Sequence, residues 1–278
     1  MQNILITGGN AGIGKATALA LAKGGDRIII AGRNNNKINT AVNEIKAATG
    51  NNEIHPLHCD LASFDSIKKC TETFKNQFDS LDILINNAGI ATDKLQFTKE
   101  GFELQIGVNH LGHFLLTMEL LNHLSISDQP RIINVSSNAH FRGKINFDSF
   151  KGEIGFKGIA GYSQSKLANV LFTNELARRY PKIISHSLHP GGVRTDIAKK
   201  NDNSLLWKTV WTIATPFLIT IEKGAKTPIY LAQSDEPLKV NGRYFYKQKE
   251  INPSKLAPDK VLAKKLWEVS EKLVASTS

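Results

Sequence analysis

The stretch Thr7-Gly8-Gly9-Asn10-Ala11-Gly12-Ile13-Gly14 lies between a short apolar run and a longer helical pattern. The run from Asn3 to Thr7 predicts a buried strand, and the pattern from about Gly12 to Lys23 predicts a helix. Glycines at a strand-to-helix turn let backbone N–H groups approach a pyrophosphate, which also meets the positive end of the helix dipole. A tight loop without a ligand is the alternative. The position of the turn, after the first strand and opening the first helix, favours a phosphate-binding turn.

Short apolar runs alternate with helical patterns along the rest of the chain. A second helix is predicted over about Lys37–Ala48, and further strands are predicted at Arg27–Ala31, Ile54–His58, Asp82–Asn86, Arg131–Ser136, Ile183–His189 and Arg243–Tyr246. Strands that are apolar throughout are covered on both faces, as in a parallel sheet. Strand–helix alternation with right-handed crossovers therefore predicts a Rossmann-type, doubly wound α/β fold in a single domain, 1–278.

The composition excludes several classes of protein. The 278 residues are 41% hydrophobic and 22% charged, which excludes the disordered, collagen-like and coiled-coil classes. The net charge is +10, but acidic and basic residues are interleaved, so a solvated surface is favoured over a nucleic-acid footprint. Cys59 and Cys70 are too few for a disulfide framework and have no metal-type spacing around them. We therefore predict no metal site and a reducing compartment.

Further motifs follow in the order of the predicted elements. They are Asn86-Asn87-Ala88-Gly89 after the fourth strand, Asn109 in the next helix, Ser136-Ser137 ending the fifth strand, the YxxxK motif Tyr162-Ser163-Gln164-Ser165-Lys166, and Pro190-Gly191 with Thr195 after the sixth strand. Together with the glycine spacing of the first turn, this series resembles the short-chain dehydrogenase/reductase family. The resemblance covers almost the whole chain.

Within that family the sequence is similar to the retinol dehydrogenase and WW-domain oxidoreductase branch. The stretches that carry the similarity are Gly107 to Phe114, Tyr162 to Leu176, His189 to Arg194 and Trp267 to Ser270. The separation of 25 residues between Ser137 and Tyr162 also matches this branch. The resemblance implies an oxidoreductase that transfers a hydride between a nicotinamide cofactor and a carbonyl or alcohol substrate.

The end of the second strand bears on the choice of cofactor. A site specific for NAD would carry Asp or Glu there to accept from the ribose 2′-OH, but the sequence has Gly32 followed by Arg33. A guanidinium can pair with a 2′-phosphate, and no carboxylate is present to repel it. We therefore predict NADP(H) as the cofactor, with a plain surface arginine as the alternative reading of Arg33.

The resemblance implies cofactor contacts at each motif. The residues that match are Gly8, Asn10, Gly12, Ile13, Gly14, Arg33, Asp60, Leu61, Asn87, Ala88, Gly89, Tyr162, Lys166, Pro190, Gly191, Val193 and Thr195. Asp60 and Leu61 follow the third strand, where the family has its adenine contact. An ordinary helix cap before Ser63 is the alternative there.

Tyr162 and Lys166 are four residues apart in a predicted helix and so share one face. A nearby ammonium favours the phenolate and lowers the pKa of a tyrosine from its usual value of about 10. On the resemblance, Ser137 hydrogen-bonds the substrate oxygen and Tyr162 exchanges the proton. Lys166 holds the nicotinamide ribose and tunes Tyr162, and Asn109 anchors a water in the proton relay.

Four other polar residues near these motifs are predicted to have structural roles. Strand alternation points Ser136 to the face opposite Ser137. His110, His113 and His189 are candidates for titrating groups, but the family does not use them in that way. We predict packing histidines at these positions.

Residues 205–234 are predicted to form a substrate-covering excursion. Trp207 and Trp211 lie one helical turn apart there, and a lid lined with aromatics favours a lipophilic carbonyl. Core packing of the tryptophans, or contact with a membrane surface, is the alternative. No secretory signal is visible, so we expect a cytoplasmic protein that acts on a small molecule, with peripheral membrane contact and a homodimer left open.

Two other functions explain less of the sequence than an enzyme of this family does. A dinucleotide-binding regulator without catalysis would not need Tyr162, so the presence of Ser137, Tyr162 and Lys166 together argues against it. A methyltransferase would share the glycine-rich turn but explains neither Asn86 to Gly89 nor the YxxxK motif.

Overall fold

The apolar runs form the strands of one sheet. The strands are β1 (Asn3–Thr7), β2 (Arg27–Gly32), β3 (Ile54–His58), β4 (Ile83–Asn86), β5 (Arg131–Val135), β6 (Ile184–Leu188), β7 (Arg243–Tyr246) and β8 (Lys249–Glu250). Their order is β3-β2-β1-β4-β5-β6-β7-β8, with β1 to β7 parallel and β8 antiparallel to β7. This computed structural model describes residues 1–152, 157–192 and 219–276.

Helices connect the parallel strands. They are α1 (Gly12–Lys23), α2 (Asn35–Thr49), α3 (Phe64–Gln77), α4 (Leu104–Ile106), α5 (Gly112–Leu124), α6 (Gly158–Arg179), α7 (Ile221–Gln233) and α8 (Lys260–Ala275). A π-helical turn, Gly107–Leu111, joins α4 to α5. Short 3-10 segments occupy Asn138–Arg142, Phe147–Lys151 and Glu236–Lys239.

Both faces of the sheet are buried, as the uniformly apolar strands predict. Leu5 on β1 belongs to a core that includes Phe74 of α3, whereas its neighbour Ile4 belongs to a second core with Leu21 of α1 and Leu231 of α7. Successive strand residues point to opposite faces, so each face needs its own layer of helices. The predicted doubly wound α/β fold is confirmed.

The strands differ from the prediction in two details, one at the end of β5 and one at the last strand of the sheet. β5 ends at Val135, so Ser136 and Ser137 follow the strand rather than ending it. Strand β8 was not predicted, because two residues are too few to show a period. The turn before it uses Lys247 and Gln248 with φ of 49° and 64°, so the glycine signal of such hairpin turns is absent.

Part of the predicted lid region, 205–234, forms a helix of the scaffold. Residues 221–233 form α7, which packs on α1 and buries Ala225, Leu231 and Ala232, so this part is scaffold. Residues 205–218, with both predicted lid tryptophans, lie outside the described residues. In the part of the chain that is described, no helix is both long and apolar enough to cross a bilayer.

Candidate active site

The glycine-rich turn between β1 and α1 is shaped by close backbone approach. Gly8 has a φ of +66°, a conformation that side chains disfavour. A Cβ at Gly14 would lie 2.4 Å from Asn87 Nδ2 and 2.5 Å from the Gly8 carbonyl oxygen. The turn therefore packs directly against the segment after β4, and these positions require glycine.

The N-terminus of α1 is left open toward this turn. Asn34 and Ser63 cap α2 and α3 with side-chain hydrogen bonds, whereas Ala11, at the corresponding position of α1, has no capping side chain. The first amides of a helix need acceptors and meet anions favourably. The structure thus offers backbone donors where the sequence predicts a pyrophosphate.

Thr7 fixes the segment after β4 beside the turn. Its Oγ1 accepts hydrogen bonds from the backbone N–H groups of Asn87 and Ala88, each at 2.9 Å. The Asn87 side chain donates to the Thr7 carbonyl oxygen at 2.8 Å. The two glycine-containing motifs that the sequence singled out are therefore held as one unit.

The adenosine end of the predicted site is more open. Arg33 is exposed directly after β2, and a Cβ at Gly32 would lie 3.0 Å from Asn10 Oδ1. Asp60 accepts from the Ala62 N–H at 3.1 Å, while Ser63 caps α3. Asp60 is therefore not the helix cap that was the alternative reading.

The catalytic candidates meet at the C-terminal edge of β5. Ser137 lies just beyond the end of the strand, after Ser136, and its side chain interacts with that of Tyr162 on α6. Lys166 Nζ lies 5.6 Å from the centre of the Tyr162 ring and donates to the Val135 carbonyl oxygen at 3.1 Å. The predicted constellation of Ser137, Tyr162 and Lys166 is brought together by α6 and the end of β5.

Electrostatics in this cluster differ from the expectation for Tyr162. Burial raises the pKa of the Tyr162 phenol, and the hydrogen bond with Ser137 only partly opposes this. Burial also lowers the pKa of Lys166 to about 8. In the protein without cofactor, desolvation outweighs the interaction with Ser137, so the predicted lowering of the Tyr162 pKa is wrong for this state.

Asn109 sits in the π-helical turn and faces the same cluster. Its Oδ1 accepts from the Ile90 N–H at 2.8 Å, and its Nδ2 donates to the Ile90 carbonyl oxygen and to Ser165 Oγ, both at 2.9 Å. A Cβ at Gly89 would lie 3.2 Å from Lys166 Nζ and 3.4 Å from Asn109 Oδ1. Gly89 therefore lies close to both Asn109 and Lys166, and a side chain there would crowd them.

Three of the four polar residues that were predicted to have structural roles make hydrogen bonds that tie elements of the fold together. Ser136 Oγ donates to the Lys166 carbonyl oxygen at 2.7 Å and so ties α6 to β5. His110 Nε2 pairs with Ser270 Oγ at 2.8 Å, and His189 Nδ1 with the Tyr244 hydroxyl at 2.9 Å. His113 differs, because it contacts two site segments.

Sequence reasoning missed a second polar cluster behind Ser137. His140 Nδ1 lies 2.7 Å from the Ser137 carbonyl oxygen, and its Nε2 accepts from the Ser254 N–H at 3.0 Å. The Tyr244 hydroxyl lies within hydrogen-bonding distance of His140 Nδ1, at 3.2 Å. No local pattern marks this cluster, because Tyr244 and Ser254 lie more than a hundred positions from His140 in the chain.

The remaining predicted cofactor residues follow β6. Pro190 and Gly191 follow that strand after His189, and Gly191 has a φ of +92°. Val193 and Thr195 lie outside the described residues. Within the described ranges, no three His, Cys, Asp or Glu side chains approach one another as metal ligands would.

Comparisons with known proteins agree with this geometry. Retinol dehydrogenase 12 of Mus musculus is 40% identical over 273 residues, which cover 98% of this chain and 85% of the relative. Retinol dehydrogenase 13 of Homo sapiens is 40% identical over 279 residues, with coverages of 98% and 84%. A crystal structure of an uncharacterised protein from Mycobacterium paratuberculosis has a TM-score of 0.79 at 31% identity and covers 99% of this chain and 94% of its own.

A short-chain dehydrogenase from Shigella flexneri, solved with NADP, has a TM-score of 0.70 at 22% identity, covers 89% of this chain and 97% of its own, and shares the fold. The family model described as short chain dehydrogenase matches residues 2–205, which include the glycine-rich turn and the YxxxK motif. The chain belongs to the short-chain dehydrogenase family and is an oxidoreductase of that family.

Proposed function

We propose that the protein transfers a hydride between NADP(H) and a lipophilic aldehyde, ketone or alcohol. The observation that carries this proposal is the meeting of Ser137, Tyr162 and Lys166 at the end of β5, beside an uncapped helix N-terminus. Ligands of open α/β sheets bind outside the carboxyl ends of the strands, where these side chains lie. When bound, the nicotinamide supplies or accepts the hydride.

Tyr162 is the proposed proton donor and acceptor. Its raised pKa keeps the phenol protonated at neutral pH, and a protonated phenol serves as a general acid toward a carbonyl oxygen. Ser137, whose side chain interacts with Tyr162, would hold the same oxygen.

Lys166 is the proposed ribose ligand. Its pKa of about 8 leaves the amine mostly charged at neutral pH, and an ammonium has three donors. One of them is used on the Val135 carbonyl oxygen. The others face the space beside Gly89 and Asn109, where a ribose hydroxyl would be recognised.

The preference for NADP(H) rests on Arg33. The exposed guanidinium follows β2 beside the glycine-rich turn, and no carboxylate occupies position 32. A charge-assisted bond to a 2′-phosphate fits this arrangement.

Exposed apolar side chains support a lipophilic substrate. Leu95, Phe97 and Ile159 are 40%, 50% and 63% exposed. They lie in the segment after β4 and at the start of α6, the two elements that carry Gly89 and Tyr162. The relatives named retinol dehydrogenases point to the same substrate chemistry. A cytoplasmic location with peripheral membrane contact, from which such molecules partition, is part of this proposal, as is a homodimer.

A substrate and cofactor panel tests the proposal. The purified protein is assayed with retinal, aliphatic aldehydes, steroids and quinones, each with NADPH and with NADH. We expect oxidation of NADPH with at least one lipophilic carbonyl, and none with the Tyr162→Phe variant. Tight NADPH binding without turnover on any substrate would instead support a regulatory dinucleotide-binding protein.

A further inference from the structure

His113 on α5 is a buried histidine that contacts two parts of the site at once. Its Nδ1 lies 3.1 Å from the Asn109 carbonyl oxygen, and its Nε2 lies 2.9 Å from Thr7 Oγ1. The side chain is 2% exposed, and burial lowers its pKa to about 4. The ring is therefore neutral under ordinary conditions and carries one proton.

The partners decide which nitrogen holds that proton. A carbonyl oxygen can only accept, so Nδ1 carries the hydrogen and Nε2 presents a lone pair. The Thr7 hydroxyl then donates to Nε2 at 2.9 Å rather than to the more distant Ile85 carbonyl oxygen at 3.4 Å, and its oxygen accepts from the backbone N–H groups of Asn87 and Ala88. A directed chain of hydrogen bonds thus runs from these amides through Thr7 and His113 to Asn109.

The two ends of this chain serve different parts of the proposed reaction. Thr7 opens the glycine-rich turn and anchors Asn87 against Gly14, where the pyrophosphate is proposed to bind. Asn109 is fastened to Ile90 and, through Ser165 Oγ, to the helix that carries Tyr162 and Lys166. His113 joins the cofactor side to the catalytic side.

We propose that His113 is a positioning residue. Its Nε2 holds Thr7 at the start of the cofactor-binding turn, and its Nδ1 holds the backbone carbonyl of Asn109. This inference rests on the proposed oxidoreductase function. It goes beyond the packing role predicted from the sequence. A packing residue would need the volume of the ring but not its two opposed hydrogen-bonding atoms.

Two amide variants separate the two bonds. The His113→Asn amide can reach the position of Nδ1 and donate to the Asn109 carbonyl, but it is too short for Thr7. The His113→Gln amide can reach the position of Nε2 and accept from Thr7, but it leaves the Asn109 carbonyl without that donor. The pair therefore breaks one end of the chain at a time.

The expected result is a split between binding and turnover. A buried partner left unpaired costs about 1–3 kcal/mol, which changes an equilibrium roughly 5- to 150-fold. We expect His113→Asn to raise the dissociation constant for NADPH by that factor with kcat nearly unchanged. His113→Gln should lower kcat by a similar factor with NADPH affinity nearly unchanged. NADPH fluorescence titration and steady-state kinetics measure the two quantities.

His110 supplies a matched control. It is equally buried one turn earlier, but its Nε2 pairs with Ser270 of α8, away from the site. His110→Asn and His110→Gln should lower the melting temperature without separating binding from turnover. If the His113 variants behave in the same way, the proposal is overturned and His113 is a structural residue.

Failure of the proposed function would look different. A wild-type protein that binds NADPH but turns over no substrate contradicts the proposed reaction. Even then, weak binding by His113→Asn beside normal binding by His113→Gln would support the positioning role, and equal binding by both variants would refute it.

Discussion

The two ends of the proposed cofactor site place polar side chains in very different surroundings. At the catalytic end Lys166 is 3% exposed and Asn109 is fully buried, and each is held by hydrogen bonds to backbone carbonyls. At the adenosine end Arg33 is exposed and Asp60 is half-buried. One end is a packed polar cluster, and the other is a charge at the surface.

This difference sets how much each end contributes. Removing water strengthens electrostatic interactions and makes unpaired groups costly, which is visible in the shifted pKa values of Tyr162 and Lys166. Exposed charges are screened by water and salt. Substitutions at the catalytic end should therefore have large effects, and those at the adenosine end small, salt-dependent ones.

The largest effect is expected for Tyr162→Phe. The phenol is the proposed acid and base, and general acid catalysis contributes about 10²- to 10⁴-fold in rate, with more lost when no other acid is near. The variant keeps the ring and its packing, so NADPH binding should stay within about twofold of wild type. Single-turnover kinetics and fluorescence titration measure the two quantities.

Tyr180→Phe, at the C-terminal end of the same helix, is the control and should retain wild-type turnover. Full activity in Tyr162→Phe would remove the residue from the mechanism. Loss of both turnover and NADPH binding would indicate misfolding.

Lys166→Met should abolish most activity and yet stabilise the fold. The change removes the proposed ribose donor, so kcat/KM should fall by about a hundredfold, or roughly 3 kcal/mol. It also removes a buried ammonium whose pKa is held at about 8 instead of 10.5, a cost of about 3 kcal/mol near neutral pH. The Val135 carbonyl still accepts from Asn169 Nδ2 at 3.3 Å.

The size of this stability effect depends on pH. Between about pH 8 and 10.5 the unfolded lysine binds more protons than the folded one, so the wild-type free energy of unfolding gains from rising pH. The advantage of Lys166→Met should therefore be full below about pH 8 and shrink toward pH 10.5. Urea unfolding of both proteins at about pH 7 and about pH 10 tests this, and an advantage independent of pH would refute the cause given.

Gly14→Ala probes the turn between the two ends. The added Cβ would lie 2.4 Å from Asn87 Nδ2 and 2.5 Å from the Gly8 carbonyl oxygen, so the turn must open. Overpacking of this kind costs about 1–3 kcal/mol. We expect at least about tenfold weaker NADPH binding and a lower melting temperature. Gly24→Ala, at the other end of α1 and facing the flexible Gln233 side chain, is the control for helix effects.

Much of the site could be predicted because its residues lie in short motifs. The run from Thr7 to Gly14 specifies a turn and a helix start locally. The spacing of Tyr162 and Lys166 puts both on one helical face. The end of β2 carries Arg33 at the same edge. Local geometry and strand order therefore sufficed to bring these residues together.

Other features depend on contacts that no local pattern reveals. His113 acquires its role because Thr7, 106 residues earlier, is placed against its Nε2. His140 reaches Ser254 across 114 residues. The pKa of Tyr162 depends on how completely α6 and the end of β5 exclude water, so its direction could not be predicted from the four-residue spacing to Lys166.

The smallest effect is expected at Arg33. A hydrogen bond between charged groups contributes about 1.5–3 kcal/mol, equal to about 10- to 150-fold in preference for NADPH over NADH. Arg33 is exposed, so we expect the lower end, and added salt should reduce it further. Gly32→Asp with Arg33→Ile should reverse the preference, because the carboxylate accepts from the ribose 2′-OH and repels a phosphate. The new Cβ would lie 3.0 Å from Asn10 Oδ1, so the Asn10 side chain must move slightly to admit it.

Lys182→Ile controls for net charge, because Lys182 is exposed and precedes β6, at the amino ends of the strands rather than the carboxyl ends. The measurement is kcat/KM for both cofactors at low and high salt. Equal use of NADH and NADPH by the wild type would show that Arg33 is an ordinary surface charge.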